Sequence, residues 1–409
     1  MAGGLLPVGD ALARILADVP PMPAETVPIA EARGRTLAAD CAARRTQPPF
    51  PTTAMDGYAV RGADVATAGA RLRLIGESAA GHGFAGRIGP GEAVRIFTGA
   101  PLPEGADTIL IQEHARAEGG AIVTTEAAAT GLFVRRAGLD FAEGQVLLAA
   151  GRRLGATELG LAAAMNHAAL AVRRRPRVGI LATGDELVMP GETPGPDQIV
   201  ASNNLAVAAA VEAAGGEAVM LGIAADTFGA LEASIADARA HAVDILVTIG
   251  GASVGDHDLV QSALAREGMT LGFWRIAMRP GKPLMFGTLG GMRLLGLPGN
   301  PVSSIVCALI FLRPLIRAML GQPDAGADET RPARLGAAMK ANDERQDYVR
   351  ARITGEDGGV PVVAPHARQD SSMLSTLAAS DALIIRAPHA PDAAAGMPCR
   401  ILPLNLLDG

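Results

Sequence analysis

Glu186, Asp226, Asp256 and Asp258 each stand just past a short apolar run: Val178-Gly-Ile-Leu-Ala-Thr183, Val219 to Ile223, or Ile245 to Ile249. Carboxylates repel phosphate but hold Mg²⁺ well, so this acidic rim has the chemistry of a metal seat. Beside the last pair, Gly250, Gly251, Ser253 and Gly255 make a glycine-rich turn whose backbone N–H groups can face an anion. Arg275, Arg279 and Lys282 then punctuate an apolar segment, and Pro280-Gly281 forces a turn between two of them. Pro298-Gly299-Asn300-Pro301 opens the run Val302 to Leu320. Asn300 as N-cap and Pro301 at the first helical position make a strong helix start and a second anion seat. Taken alone, an Asp after a strand is more often a helix cap, and a cation at a turn is often merely solvated. Convergence within one stretch argues for a site.

These residues meet only if the runs are strands of one sheet. Ala206 to Ala214 reads as a helix closed by Gly215-Gly216, Leu231 to Ala240 as another, and Leu259 to Glu267 as a third. Strands alternating with helices predict a parallel sheet with crossover helices, whose ligands lie at the carboxyl ends of the strands. Glu186, Asp226 and Asp258 would then share one rim.

GDEL, GGASVGDHD, RPGKP and GLPGNPVS occur in this order between residues 177 and 320. Together they resemble the molybdopterin-binding domain of the MoeA family, the molybdopterin molybdenumtransferases, to which the C-terminal domain of gephyrin is related. MogA adenylyltransferases and CinA proteins share that domain alone, so the rest of the chain decides.

With 409 residues the chain exceeds one typical core. Its 50 glycines and 28 prolines are spread throughout, which predicts many turns rather than one disordered tail. A net charge of −6 argues against general nucleic-acid affinity. Cys41, Cys307 and Cys399 are odd in number and widely spaced, with no CxxC, which argues against structural zinc and for a reducing compartment. Met1 to Asp10 lacks the pattern of a signal peptide, and the apolar run Ile305 to Leu312 is too short to span a bilayer. A soluble, cytoplasmic protein with no membrane partner is expected.

Three segments outside the central stretch extend the resemblance. Gln47-Pro-Pro-Phe-Pro-Thr-Thr-Ala-Met-Asp56-Gly-Tyr-Ala-Val60 is similar to a MoeA signature, with Thr52-Thr53 where the family commonly has Asn-Ser. Val94 to Asp107 contains Thr98-Gly-Ala-Pro-Leu-Pro, with Thr98 as an oxyanion donor, and Arg135-Arg-Ala-Gly-Leu-Asp140 suggests an Arg135–Asp140 pair. Gly81-His-Gly-Phe-Ala-Gly86 spells a dinucleotide fingerprint, but no buried strand precedes it and no helix follows. Arg71 to Leu148 alternates apolar and polar residues like a β unit, Gly151 to Ala168 reads as helical, and Val172 to Arg177 as a basic linker. Tyr348 to Ile353, Val360 to Val363 and Ala382 to Ile385 read as strands of a third unit.

The resemblance implies a multidomain α/β plus β architecture. Its parts are an elongated N-terminal dimerisation domain (1–45 with 145–172), an inserted β domain (46–144), a three-layer α/β domain (173–321) and a C-terminal β-barrel (322–409). It implies Mg²⁺-dependent cleavage of adenylylated molybdopterin, transfer of molybdate to the dithiolene, and release of AMP. Glu186, Asp226, Asp256 and Asp258 would serve the metal, with Lys282 and Asp56 also catalytic. Thr98, Arg135, Asp140, Gly250, Gly251, Ser253, Gly255, Arg275, Arg279, Pro298, Gly299, Asn300, Ser303, Arg350 and Ser371 would bind the pterin and oxyanion. Many relatives carry lysine at positions 275 and 279, and glycine at 370; arginine adds a fork suited to oxyanions. A homodimer is implied, with Asp56 entering the partner's site, alongside a MogA-type adenylyltransferase and recipient molybdoenzymes. The alternatives are a MogA-type adenylyltransferase and a non-enzymatic pterin carrier or scaffold.

Overall fold

The computed structural model describes residues 5–251 and 259–408. Its centre is a six-stranded sheet built from β1 (Arg177–Thr183), β2 (Glu217–Ala224), β3 (Ile245–Ile249), β4 (Thr270–Trp274), β5 (Met285–Leu289) and β6 (Met292–Leu297), in the order β2-β1-β3-β6-β5-β4. The first four neighbours run parallel and the β6-β5-β4 edge antiparallel. Helices α1 (Asn203–Ala213), α2 (Phe228–Ala240) and α3 (Leu259–Arg266) make the crossovers. The antiparallel edge is a hairpin where sequence reading saw only a basic, apolar stretch.

Alternation along the strands covers both sheet faces. Val178 and Ile180 of β1, with Ile245, Val247 and Ile249 of β3, join α1 and the helical run Pro301–Met319 in one core. Leu181 and Leu246 point the other way, into a second core with Leu231 and Ile235 of α2 and Val260 and Leu264 of α3. A period of two with helices on both sides is what makes these strands read as unbroken apolar runs.

The run Pro301–Met319, α4 below, is long and apolar enough to cross a membrane, but 89% of its apolar window is buried inside the protein. It runs through Pro314 because Ala308–Leu312 adopts a π-helical turn and Pro314 enters the first turn of the next α-helical segment.

The N-terminal helix Val8–Leu16 lays Val8, Ala11 and Ile15 into the α/β core, so by packing it belongs with that unit. Ala24–Pro28 pairs antiparallel with Ala169–Arg173, and Cys41–Ala42 with Val146–Leu148. The segment expected as a linker from Val172 therefore begins inside a strand, and the helix expected over Gly151 to Ala168 is shorter, Ala156–Ala164. Between these pairings lies a β sheet in the order Thr108–Ile111, Gly57–Val60, Glu92–Ile96, Arg71–Ser78, Ala121–Thr124, Ala115–Glu118.

After α4, strands Arg331–Leu335, Gln346–Asp357, Val360–Pro365, Ala382–Arg386 and Pro398–Pro403 close into a barrel, sealed by pairing of 346–357 with 382–386. Closure removes the free edges that such short strands would otherwise expose. Met278–Arg279 of the α/β unit adds to the barrel alongside Gln346-Asp347, which couples the two units through backbone hydrogen bonds.

Candidate active site

A cleft of about 730 Å³ opens at the carboxyl ends of β1, β3 and β6. Thr183, Gly184, Glu186, Asp226, Gly250, Gly251, the α1 start at Ser202 to Asn204, and Pro298 to Pro301 line it. The strand-end placement read from sequence is the observed one for Glu186, Asp226, Gly250 and Gly251, and the helix start read at Pro298, Gly299 and Asn300 opens onto the same cleft. Asp258, Asp256, Ser253 and Gly255 lie outside the described residues.

Close approach of backbones explains the glycines. Gly250 has φ +96°, and a Cβ there would sit 2.6 Å from the Thr183 carbonyl oxygen; at Gly251, φ +65°, it would strike Val260. Neither position admits a side chain without moving β1 or α3. Asn300 holds the N-cap backbone position of α4, but its side chain makes no capping bond. Its neighbour Gly299 is tied instead to α1, where the Asn203 amide donates to the Gly299 carbonyl at 2.6 Å.

The acidic rim gains a member that the sequence reading passed over. Asp185 accepts the backbone N–H of Asp226 at 3.1 Å. Desolvation, then the negative charges of Asp185 and Glu186, push the Asp226 carboxyl up from its ordinary value. Among the described residues no three His, Cys, Asp or Glu side chains are arranged to hold a metal ion. The crowded charge at Asp226 nonetheless suits a cation at this rim.

Three further polar groups line the cleft. Thr183 Oγ1 and Asn204 Nδ2 are buried without a partner among the described residues, and Asn203 sits at the same edge. A buried donor left unpaired costs about 1–3 kcal/mol, a cost that a bound polar ligand removes. Sequence reading missed all three; the run Ser202-Asn203-Asn204 before an apolar helix is the signal that could have found the two asparagines, since such residues open helices and this helix follows β1.

Other expected residues have different jobs. The Arg279 guanidinium reaches Asp343, Asn342 and Asp347 of the barrel, so it anchors the basic turn instead of facing an anion. Arg275 lies over the Trp274 ring at 4.3 Å, with its backbone at φ +72°. Lys282 is half-buried and, like Arg275, makes no ion pair among the described residues. Ser303 is buried in the first turn of α4 and does not line the cleft. Arg350, 2% exposed, is spent inside the barrel: its guanidinium donates to Gln369 Oε1 at 3.3 Å and to the Met373 carbonyl at 3.1 Å. It shapes the turn that carries Ser371, whose carbonyl accepts the Val302 N–H at 3.1 Å and so caps α4 from the barrel side.

Asp56, Thr98 and Arg135 cluster on the β unit, and none lines the cleft. Thr53 pairs with Val134 and Thr52 with Arg135, while Gly99 and Ala100 bond to Thr53 through the backbone. Thr98 donates to Asp56 Oδ1 from its N–H and its hydroxyl, each at 2.7 Å, so in this structure it serves a carboxylate rather than a free oxyanion. Those two bonds hold the Asp56 carboxyl below its ordinary value. Asp140 bonds to Gln47 through its N–H, and no ion pair joins it to Arg135 among the described residues.

Three family models divide the chain among them: "MoeA N-terminal region (domain I and II)" over residues 6–166, "Probable molybdopterin binding domain" over 179–318, and "MoeA C-terminal region (domain IV)" over 332–404. A protein of Nostoc sp. named Molybdopterin molybdenumtransferase is 36% identical over 368 residues, 88% of this chain and 84% of its own. One of the same name from Haemophilus influenzae is 33% identical over 407 residues, 99% of this chain and all of its own. The chain belongs to the MoeA family.

Among solved structures, a MoeA protein of Pyrococcus horikoshii superposes with a TM-score of 0.83 at 30% identity, covering 97% of this chain and 98% of that one. The likeness extends well beyond the α/β unit, over the segments that a lone binding domain of the MogA type lacks. In this MoeA chain the described part of the cleft offers carboxylates on the β1 and β2 rim, a buried hydroxyl at the β1 end and a buried amide at the α1 start, and a glycine backbone at β3 and β6. That set can seat a polar, anionic ligand together with a cation.

Proposed function

We propose that the chain inserts molybdenum into molybdopterin, cleaving adenylylated molybdopterin, transferring molybdate to the dithiolene and releasing AMP. The observation that carries this reading is the cleft itself, where the Glu186 and Asp226 carboxylates share the lining with Thr183 and Asn204 donors that are unpaired among the described residues. Mg²⁺, held by Glu186, Asp226, Asp256 and Asp258, would neutralise phosphoryl oxygens as the phosphoanhydride breaks. Thr183, Asn204 and the Gly250-Gly251 backbone orient the polar head of the pterin. Lys282, without an acidic partner among the described residues, offers charge to a leaving phosphate. Molybdate, itself an anion, needs hydroxyl, amide or guanidinium donors.

The separation of Asp56, Thr98 and Arg135 from the cleft of their own chain supports a homodimer in which this cluster completes the partner's site. Three cysteines without disulfides agree with a reducing cytoplasm. A MogA-type adenylyltransferase would supply the substrate, and apo-molybdoenzymes would take the product.

One assay tests the reading. The protein is incubated with adenylylated molybdopterin, or with molybdopterin and ATP, and AMP and pyrophosphate are followed. Molybdate-stimulated AMP release from the adenylylated form is expected, dependent on Mg²⁺. Pyrophosphate release from ATP would make it an adenylyltransferase, and binding without turnover a carrier.

A further inference from the structure

A second cavity, about 420 Å³, lies at the far ends of the helices that begin at the active-site cleft. Helix α1 runs from Asn203 at the cleft to Ala213, and α4 from Pro301 to Met319, which puts the two cavities roughly 20 Å apart at 1.5 Å per residue. They share no lining residue. Arg152, Arg153, Arg313 and Arg317 line the second one, with Asp324 as its one acidic lining residue.

The arginines are not equivalent. Arg313 makes a two-pronged pair with Glu329, and Arg317 spends its donors on Gln322, Glu329 and Asp324. Arg152 is paired with Glu158. Among the described residues Arg153 has no acidic partner: its guanidinium donates to the Ala213 carbonyl at 2.9 Å, at the C-terminus of α1. Burial, then the like charges of Arg313, Arg317 and Arg175, loosen the hold of its guanidinium on the proton. Four lining cations set against Glu158, Glu329 and Asp324 leave one positive charge, and Arg175 adds a second. The carboxyl-terminal dipoles of α1 and α4 offset part of that excess, but Arg153 keeps most of its donors unused. Such a cavity is under-neutralised and rich in guanidinium N–H.

We propose that this arginine-lined cavity is a binding site for a tetrahedral phosphate-type oxyanion, seated on Arg153 at the seam between the N-terminal unit, the α/β unit and the segment after α4. Three parts of the chain meet there. Gly151 packs so closely on the Gly321 carbonyl that a Cβ would sit 2.6 Å from it, and the Gln322 amide donates to Thr36 at 3.1 Å. An anion bridging Arg152 or Arg153 to Arg313 would tie these parts together by charge-assisted bonds, without taking part in the reaction at the cleft.

Calorimetric titration of the full chain with inorganic phosphate, sulfate and AMP at constant ionic strength, against chloride, tests this. Saturable phosphate and sulfate binding is expected, weakened at least tenfold in Arg153→Gln and less in Arg153→Lys. It should persist in Asp226→Asn, which separates this seat from the cleft. Arg153 is exposed enough for the substitution to leave the fold intact, checked by an unchanged circular dichroism spectrum. AMP binding that also depends on Arg153 would extend the seat to phosphate monoesters, and AMP silence would restrict it to free oxyanions; both outcomes support it. No saturable heat with phosphate, or undiminished binding in Arg153→Gln, overturns the proposal.

Discussion

Thr98 grips the Asp56 carboxylate twice, from its backbone N–H and from its hydroxyl, both at 2.7 Å. These bonds, with a smaller pull from the Arg95 charge, lower the pKa of the exposed carboxyl, whereas burial would raise it. Thr98→Val keeps the backbone bond and removes the hydroxyl. The Asp56 pKa should rise toward its ordinary value, as read by carbon-13 NMR of the labelled carboxyl, and AMP release should slow about tenfold with unchanged Tm. An unmoved Asp56 resonance would show that the hydroxyl bond has no hold on it.

Asp226 sits in a field of like charge, and its carboxyl is pushed up. The sign follows from linkage: a folded-state carboxyl raised above its unfolded value subtracts stability once pH exceeds the unfolded value. Asp226→Asn should therefore leave the metal-free protein as stable or slightly more so, by under about 1 kcal/mol since the group is solvated. AMP release should fall by at least a hundredfold, and any rise in Tm on adding Mg²⁺ should disappear. Wild-type turnover in the variant would remove Asp226 from the site.

Complementation tests the shared site. A chain carrying Asp56→Ala and a chain carrying Asp226→Ala should each be inactive, and mixing them after mild dissociation should restore up to about a quarter of wild-type activity, because a random mixture places one intact site in each heterodimer. Inactive mixtures with proven subunit exchange would place Asp56 in the site of its own chain.

Acid stability should depend on Glu158. Its carboxyl accepts from Arg152, Thr157 and the Gly155 N–H, and its pKa is lowered to about 2. A depressed carboxyl contributes stability that is present above about pH 4.5 and lost as pH falls toward 2. Glu158→Gln should cost about 1–2 kcal/mol in urea unfolding at pH 7 and nothing measurable near pH 2. Equal losses at both pH values would make the effect one of packing.

The Arg279 fork should hold the basic turn to the barrel. Arg279→Lys keeps the charge but cannot serve Asp343, Asn342 and Asp347 at once, and Asp347 is largely buried. A loss of about 1–3 kcal/mol and faster hydrogen exchange at Gln346 and Asp347 are expected. Unchanged exchange at these amides would mean that the backbone pairing alone holds the turn.

Short apolar runs at Val178 to Thr183, Val219 to Ile223 and Ile245 to Ile249, alternating with helical patterns, were enough to place Glu186, Asp226, Gly250 and Gly251 at one sheet rim. Strand period and turn chemistry are local, and a parallel sheet sends every strand end of one sense to the same side. Pairings distant in sequence left no such mark. Ala24–Pro28 against Ala169–Arg173 joins short segments about 145 residues apart, and neither carries a pattern that names its partner. The roles of arginines were decided in the same way. Arg279, Arg350 and Arg153 are alike as cations in the sequence; only the fold gives the first three acceptors on the barrel, buries the second, and leaves the third without a counter-charge among the described residues. A charge is a property of the residue, whereas its partner is supplied by whatever the chain brings within about 4 Å, and tertiary structure alone decides that.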